Sequence, residues 1–346
     1  MAVTLKDIAK VCNVSYSTVS RALNGKKARP SRKLDEIRET ARALGYKPNS
    51  LAVQLVTRKT NKIGLLIPDI ANPHYSEIAK SVEDAAFVNG YQMFLCNSDW
   101  DVRKEVLYRD ALLDSRVAGI IAMPVCDESH VLFHGLDTPV VLLGSRTKEN
   151  DLSTVVMDNF KAAFQITEEL IRSGHDRLAY IGRKVKNYTS SDREDGFYAA
   201  VRANSDAVRS AEAVVSTSYQ LAGGYRAAME LLRRDVKPNG IIAFNDFIAL
   251  GAIQAVEELG LRPGVDVEII GFDDIQFSSL PKINLTTITP SNEELGRLAI
   301  ETVIHASESQ EKYCRNILLE PHIIYRSTYQ HEEAENAENG LETRNK

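Results

Sequence analysis

From Asn61 to about residue 330, short apolar runs alternate with helix-length amphipathic stretches. Ile63-Gly64-Leu65-Leu66-Ile67 reads as a buried strand, and a helix is expected to follow Pro73 and Tyr75 as far as Asn89. Further strands are predicted at 91–96, 119–123, 140–143, 178–181, 241–244 and 268–271, with helices at 103–114, 160–173, 192–203, 220–233 and 248–259. Alternation of this kind means parallel sheets covered by helices on both faces. Roughly 270 residues exceed one comfortable core, so two α/β subdomains with a cleft between them are expected. Ligands of such sheets bind beyond the carboxyl ends of the strands.

The first sixty residues have a different period. In TLKDIAKVCNVSYSTVSRALN, Thr4 to Asn24, the apolar residues Leu5, Ile8, Ala9 and Cys12 share one helical face. Thr4 is the expected N-cap with Asp7 in the first turn, and Asn13 can break the helix in a left-handed conformation. Ser15 then caps a second helix to about Leu23, with Val19, Ala22 and Leu23 on one stripe and Tyr16, Ser17, Ser20 and Arg21 on the other. Two short helices joined this way form a helix-turn-helix, whose second helix enters a major groove. Taken alone, the polar stripe is equally that of an ordinary solvated helix. A third helix is predicted from Ser31 through Leu34, Ile37, Ala41 and Leu44 to a stop at Gly45. These helices can close a small core around Leu5, Ile8, Val19, Leu23, Leu34 and Ile37. After Pro48, a helix of under two turns beginning at Asn49 or Ser50 is too short to persist alone in water. It needs a surface, supplied by DNA or by a second copy.

Charge divides the chain at the same place. Residues 1–60 carry thirteen Lys and Arg against four Asp and Glu, and the remainder twenty-nine against forty-three. A basic head on an acidic body suits a nucleic-acid reader whose body is repelled by the polyanion. No apolar run of transmembrane length and no secretory signal is read, and Cys12, Cys96, Cys126 and Cys314 lack metal-ligand spacing. Reduced, mostly buried thiols in the cytoplasm are expected, with neither metal nor cofactor. The polar stretch 330–346 lacks a heptad seam and reads as a disordered acidic tail that gives no reason to expect a tetramer.

The segments TLKDIAKVCNVSYSTVSRALN, LGYKPNSLAVQL and KIGLLIPDIANPHYSEI, followed by DREDGF, FNDFIALGA and IIGFDDI, closely resemble the lactose/galactose repressor family of bacterial transcriptional regulators from residue 3 to about 330. The resemblance implies a helix-turn-helix headpiece over 1–47, a hinge helix and linker over 48–60, and an effector-binding and dimerising core over 61–330. That core would be periplasmic-binding-protein-like, with two doubly wound parallel-sheet subdomains. One would span about 62–158 plus 290–320, the other about 159–289 plus 321–330. Tyr16, Ser17 and Arg21 would face base edges, with Thr18, Ser20 and Asn24 near phosphates and Thr4 also among the DNA-binding residues. Asn49, Ala52 and Leu55 would belong to the hinge, Leu55 as the minor-groove wedge; Val53 stands where relatives often carry an arginine. The implied effector residues are His74, Tyr75, Asn187, Thr189, Arg193, Tyr219, Asn245, Asp246 and Asp273. Gly144-Ser145 replaces the family's usual Asp-Arg on one wall.

Arg and carboxylate groups with aromatics suit a polar ring such as a sugar or sugar derivative, with a nucleobase or other small metabolite as the alternative. Other readings of the same side chains are core packing for Tyr75 and Tyr219, an interdomain ion pair for Arg193, and helix caps for Asp246 and Asp273. His175 reads as a turn residue. An enzyme is not expected, because Walker, GxGxxG, GxSxG and HExxH signatures are missing and Asp273-Asp274 are adjacent, a poor catalytic dyad. A sugar-transport component would need an export signal and would leave the basic head unexplained. A constitutive DNA-binding protein with a merely dimerising body would bind no effector. The partners expected are operator DNA, a second copy of the chain and a small molecule, with no membrane.

Overall fold

The computed structural model describes residues 3–24, 31–46, 60–147, 151–183, 188–216, 220–309 and 313–329. By internal contacts the chain divides into two units, Met1–Thr60 and Asn61–Lys346.

The first unit contains helices α1 (Leu5–Val11), α2 (Tyr16–Asn24) and α3 (Arg32–Ala43). The Asp7 carboxylate accepts from the Thr4 N–H (2.9 Å) and the Thr4 hydroxyl (2.7 Å), which fixes the start of α1 and holds the Asp7 carboxyl below the usual carboxylate range. Asn13 turns the chain with φ 49, the left-handed geometry that Asn tolerates. Ser15 Oγ accepts the Thr18 N–H (3.2 Å), and Ser31 Oγ accepts that of Leu34 (3.3 Å). Ile8, Val19, Leu34 and Ile37 are buried together with Cys12, Ala22 and Ala41, while Leu5 and Leu23 pack at the margin. The expected small core is present.

In the second unit the chain builds one lobe, then another, and returns. The first lobe comprises β1 (Lys62–Ile67), α4 (Pro73–Val88), β2 (Gln92–Asn97), α5 (Val102–Asp114), β3 (Gly119–Ala122), β4 (Val140–Leu143) and β5 (Ser153–Met157). The second comprises α6 (Asn159–Arg172), β6 (Arg177–Arg183), α7 (Tyr188–Ala203), β7 (Ser210–Ser216), α8 (Leu221–Leu232), β8 (Gly240–Ala243), α9 (Asp246–Glu258), β9 (Glu268–Phe272) and β10 (Thr286–Thr289). Helix α10 (Asn292–Glu308) and strand β11 (Asn316–Leu319) rejoin the first lobe, and β12 (His322–Ile324) rejoins the second. Strand order is β11-β5-β4-β3-β1-β2 in one sheet and β12-β10-β9-β8-β6-β7 in the other. Every pairing is parallel except β10 with β12. These are the doubly wound lobes expected from the alternating pattern, and the chain passes between them after β5, β10 and β11.

Several elements were not anticipated. Strand β10 is Thr-Thr-Ile-Thr, a sequence without an apolar run, yet Thr286 and Thr287 are fully buried. The strand is stable there because its hydroxyls are satisfied: Thr286 Oγ1 donates to the Tyr329 carbonyl (2.7 Å) and Thr287 Oγ1 to Asp246 Oδ1 (2.6 Å). Strands β5 and β7 begin and, for β7, also end on serine, which blurred the same signal. Helix α10 does carry a legible face in Leu295, Leu298, Ala299 and Thr302, all buried. Helix α4 begins at Pro73 itself, capped by Asn72, and α7 begins at Tyr188 rather than at 192.

Helices α8 and α9 lie against each other with no room for side chains at two crossing points. A Cβ on Gly224 would fall 2.1 Å from the Ile248 carbonyl oxygen, and one on Gly251 2.1 Å from that of Leu221. All four cysteines are free, but only Cys12 is buried and Cys314 is exposed, so "mostly buried" does not hold. Among the described residues no helix is long and apolar enough to cross a membrane.

Candidate functional site

The lobes close over a cavity of about 100 Å³ at the carboxyl ends of β1–β4, β6, β8 and β9. This is small against the roughly 300–1,000 Å³ of ordinary ligand pockets. Direct bonds between the lobes account for the tight fit. Thr189 Oγ1 donates to the Gly144 carbonyl (2.8 Å), the Tyr188 N–H to Asp127 Oδ1 (3.2 Å), and the Gln276 N–H to Glu77 Oε1 (3.0 Å).

Arg193, on α7, is the buried centre of the second lobe's wall. Its Nε donates to Asn159 Oδ1 (2.8 Å) and its Nη1 to the Phe244 carbonyl. Its guanidinium lies 4.1 Å from the Phe272 ring centroid and 5.0 Å from that of Phe244. Asp273 Oδ1 stands 3.8 Å from Arg193 Nη2 and 3.8 Å from His74 Nδ1, beyond hydrogen-bond length for either. Among the described residues, the buried His74 Nδ1 has no hydrogen-bond partner. Burial lowers the His74 pKa, against the opposing pull of Asp273, so the imidazole is neutral near pH 7. An acceptor carboxylate and an unsatisfied ring nitrogen on opposite lobes are spaced for a ligand hydroxyl between them.

The backbone is strained where it bears these groups. Asp273 has φ 109, and Trp100 has φ 57; each such residue costs roughly 1–3 kcal/mol, and strain of this kind clusters at ligand clamps. Tyr75 packs edge-on against Trp100 (5.9 Å) and His74 (5.1 Å). Asn245 lines the cavity while its Oδ1 caps α9 through the Ile248 N–H (2.9 Å). Gly144 and Ser145 form a low wall: Gly144 has φ 64, and Ser145 Oγ is 2.5 Å from Nε2 of the buried His130.

Of the expected effector residues, His74, Tyr75, Thr189, Arg193, Asn245 and Asp273 are brought together at the cavity. Asp246 is not, which corrects the expectation. Its carboxylate is fully buried beneath the sheet and accepts from Ser278 Oγ (2.6 Å), Thr287 Oγ1 (2.6 Å) and the Ile275 N–H (3.0 Å). Consecutive residues at a helix start point in different directions, and here only Asn245 points at the cleft. Asn187 and Tyr219 lie outside the described residues, as do Asn49, Ala52 and Leu55.

Sequence reasoning missed Asn72, Trp100 and Arg183, all of which line the cavity. An Asn-Pro helix start, the lone tryptophan after a strand, and a charge ending the apolar run LAYIGR were the available signals.

On the first unit, α2 exposes Tyr16, Ser17 and Arg21 and buries Val19 and Ala22. Arg21 Nε rests on the Ser17 carbonyl (3.3 Å), and Ser15 Oγ links the Ser17 and Thr18 hydroxyls at 2.8 Å each. Thr18 and Ser20 are half-buried, and the Thr4 hydroxyl serves its cap. The Asn24 side chain lies outside the described residues.

Comparison with known proteins agrees with both halves. Residues 4–49 match the family described as bacterial regulatory proteins, lacI family, and residues 60–328 that described as periplasmic binding proteins and sugar binding domain of LacI family. Catabolite control protein A of Priestia megaterium is 33% identical over 328 residues, 94% of this chain and 98% of that protein. The HTH-type transcriptional regulator RegA of Clostridium saccharobutylicum is 32% identical over 332 residues, 95% and 99%. A solved lac repressor dimer, bound to operator and the anti-inducer ONPF, is 25% identical with a TM-score of 0.83, covering 95% of this chain and all of that one.

Proposed function

This chain belongs to the lacI family of bacterial regulatory proteins, and on that premise we propose that it represses transcription as a homodimer on a palindromic operator. A sugar or sugar derivative in the cleft switches it. The observation that carries the DNA half is α2, which is anchored by Val19 and Ala22 and turns Tyr16, Ser17 and Arg21 outward. Arg21 is suited to read guanine with paired hydrogen bonds, and the hydroxyls to hold phosphates or base edges. Its cytoplasmic place follows from that role.

A dimer is supported by the first lobe's surface. Phe87 and Val88 at the end of α4 are exposed, as are Phe94 and Leu95 on β2, the edge strand of its sheet. An apolar edge of this kind is an aggregation hazard unless another chain covers it. Two copies joined there would carry two α2 helices, as a two-fold symmetric site requires.

The effector half rests on His74, Arg193, Asn245 and Asp273 converging between lobes that touch directly. A ligand there changes the lobes' relative position. Through the dimer this alters the spacing of residues 48–60, proposed to form the hinge, and their ability to fold on DNA. Arg193 then has two roles, since two of its donors already tie Asn159 and Phe244 together.

Selection of bound sequences from random duplex DNA tests the first half. The expected product is a pseudo-palindrome with half-sites about one helical turn apart or closer. Enrichment of a motif without dyad symmetry would refute the homodimeric reading.

A further inference from the structure

Ser145 forms part of the cavity wall, and its hydroxyl is held from behind. The holder is His130, whose Nε2 lies 2.5 Å from Ser145 Oγ. Both side chains are buried. His130 belongs to a 3-10 segment, Asp127–Phe133, that follows β3. The same segment reaches the other lobe, where Asp127 Oδ1 accepts the Tyr188 N–H (3.2 Å). Tyr188 is the first residue of α7, a position whose N–H has no acceptor within its own helix. At the same crossing Arg146, the residue after Ser145, places its guanidinium 4.6 Å from the Tyr188 ring centroid.

Helix α5 clamps the segment at both ends. Glu105 Oε1 accepts the Val125 N–H (2.9 Å) just before it, and Arg109 Nη1 donates to the Leu132 carbonyl (3.0 Å) near its end. Glu105 is fully buried, and a buried acceptor is costly to part from its donor, so this clamp is stiff. Phe133 adds a fully buried ring in the cluster that contains Leu66, Leu112 and Leu142. A turn pinned in this way moves as a unit. Its bond to the cavity wall through His130 and its bond to the facing lobe through Asp127 therefore move together.

We propose that His130 is a positioning residue of the effector response. It ties Ser145 to the Asp127–Tyr188 contact, so that a ligand group bonded to Ser145 alters how firmly the lobes hold each other at that crossing. This rests on the reading of the cleft as an effector site. It lets a ligand bonded to the first lobe alone shift the closure of both.

Hydrogen exchange at the Tyr188 amide, resolved to single residues by mass spectrometry, reads this crossing without any ligand. The full-length parent, Ser145→Ala, His130→Leu and the double variant are compared. Each single change is expected to speed Tyr188 exchange roughly two- to tenfold, as loss of one hydrogen bond allows. Ser145 also adjoins Gly144, whose carbonyl takes the Thr189 hydroxyl, and the double variant separates that route from the one through His130. If the route is His130, the double variant exchanges no faster than either single one. Multiplied effects, or an unchanged rate in His130→Leu, overturn the proposal. So does an equal rise at Ile121 in β3, the mark of a lobe loosened as a whole. Should His130→Leu fail to fold, His130→Gln takes its place in the same cycle. Calorimetry with D-glucose, D-galactose, D-ribose and adenine tests the effector reading separately. A compound that binds is expected to change Tyr188 exchange in the parent and to change it much less in His130→Leu. An equal change in both overturns the proposal and leaves the effector site standing. Failure of every compound to bind counts against the effector reading, while the ligand-free cycle still decides the role of His130.

Discussion

Asn245 and Asp246 are neighbours in sequence with opposite fates. Asn245 faces the cleft; Asp246 turns under the sheet and joins Ser278, Thr287 and the Ile275 N–H. Burial, with Asp273 nearby, pushes the Asp246 carboxyl up to about 8 against those three donors. Asp246→Ala would leave all three donors buried and unsatisfied, at roughly 1–3 kcal/mol each. Chemical denaturation is expected to show a loss of about 3 kcal/mol or more, whereas Asp246→Asn keeps the shape and an acceptor and should lose far less. Equal losses from the two would show that packing, not hydrogen bonding, sets the requirement. His74 makes a pH prediction. Its pKa is lowered in the folded protein because burial disfavours the imidazolium. The unfolded chain therefore takes up a proton below about 6.5 that the native state resists, and this group's contribution to stability falls as pH drops through that value. Denaturation midpoints at pH 7.5 and 5.5 should differ more for the parent than for His74→Gln. An equal pH response in both would place His74 in contact with water.

Helix α2 shows how one element divides its labour. Val19 and Ala22 hold it in the small core, and Tyr16, Ser17 and Arg21 cover the opposite face. Arg21→Ala is expected to weaken operator binding by roughly 1–3 kcal/mol and to relax selection at one base pair, with little change in stability because the side chain is exposed. Binding titrations on operators altered one pair at a time check this; uniform weakening at every position would make Arg21 a phosphate contact. Elements like this were legible because a helix face needs only local spacing. The alternating strands and helices of the second unit were legible for the same reason. What escaped was set by distant partners. The threonines of β10 are buried only because Tyr329 and Asp246 receive their hydroxyls. Trp100 and Arg183 meet only when two lobes close. The six expected residues at the cavity were legible only through resemblance, since their spacing in sequence carries no geometric signal.

At the scale of the whole molecule, the charge division constrains the mechanism. Residues 1–60 hold an excess of nine positive charges and the remainder an excess of fourteen negative. The acidic body is repelled by DNA, so affinity must come from the head; on the proposed homodimer, control would come from how the body holds two heads. Residues 61–346 alone are therefore expected to bind effector and to lack operator affinity. The full chain is expected to show coupling between the two ligands of about 1–3 kcal/mol, a factor of roughly 5–150. Linkage requires that factor to be reciprocal: saturating effector shifts operator affinity as much as saturating operator shifts effector affinity. Trp100 emission reads one direction and operator titration the other. A factor near one in both, with effector and operator each binding well, would mean that the cleft and the headpiece share a chain without sharing a conformational equilibrium. Opposite signs of repression and induction use the same geometry, since a ligand moves the equilibrium only by its differential affinity for the two states. Because the lobes here already touch through Thr189 and Gly144, on the proposed mechanism that differential would reside in how far a ligand lets them close. Thr189→Val, which removes this cross-lobe bond without changing the side chain's shape, is the variant expected to alter the coupling factor while leaving α2 and its operator contacts intact.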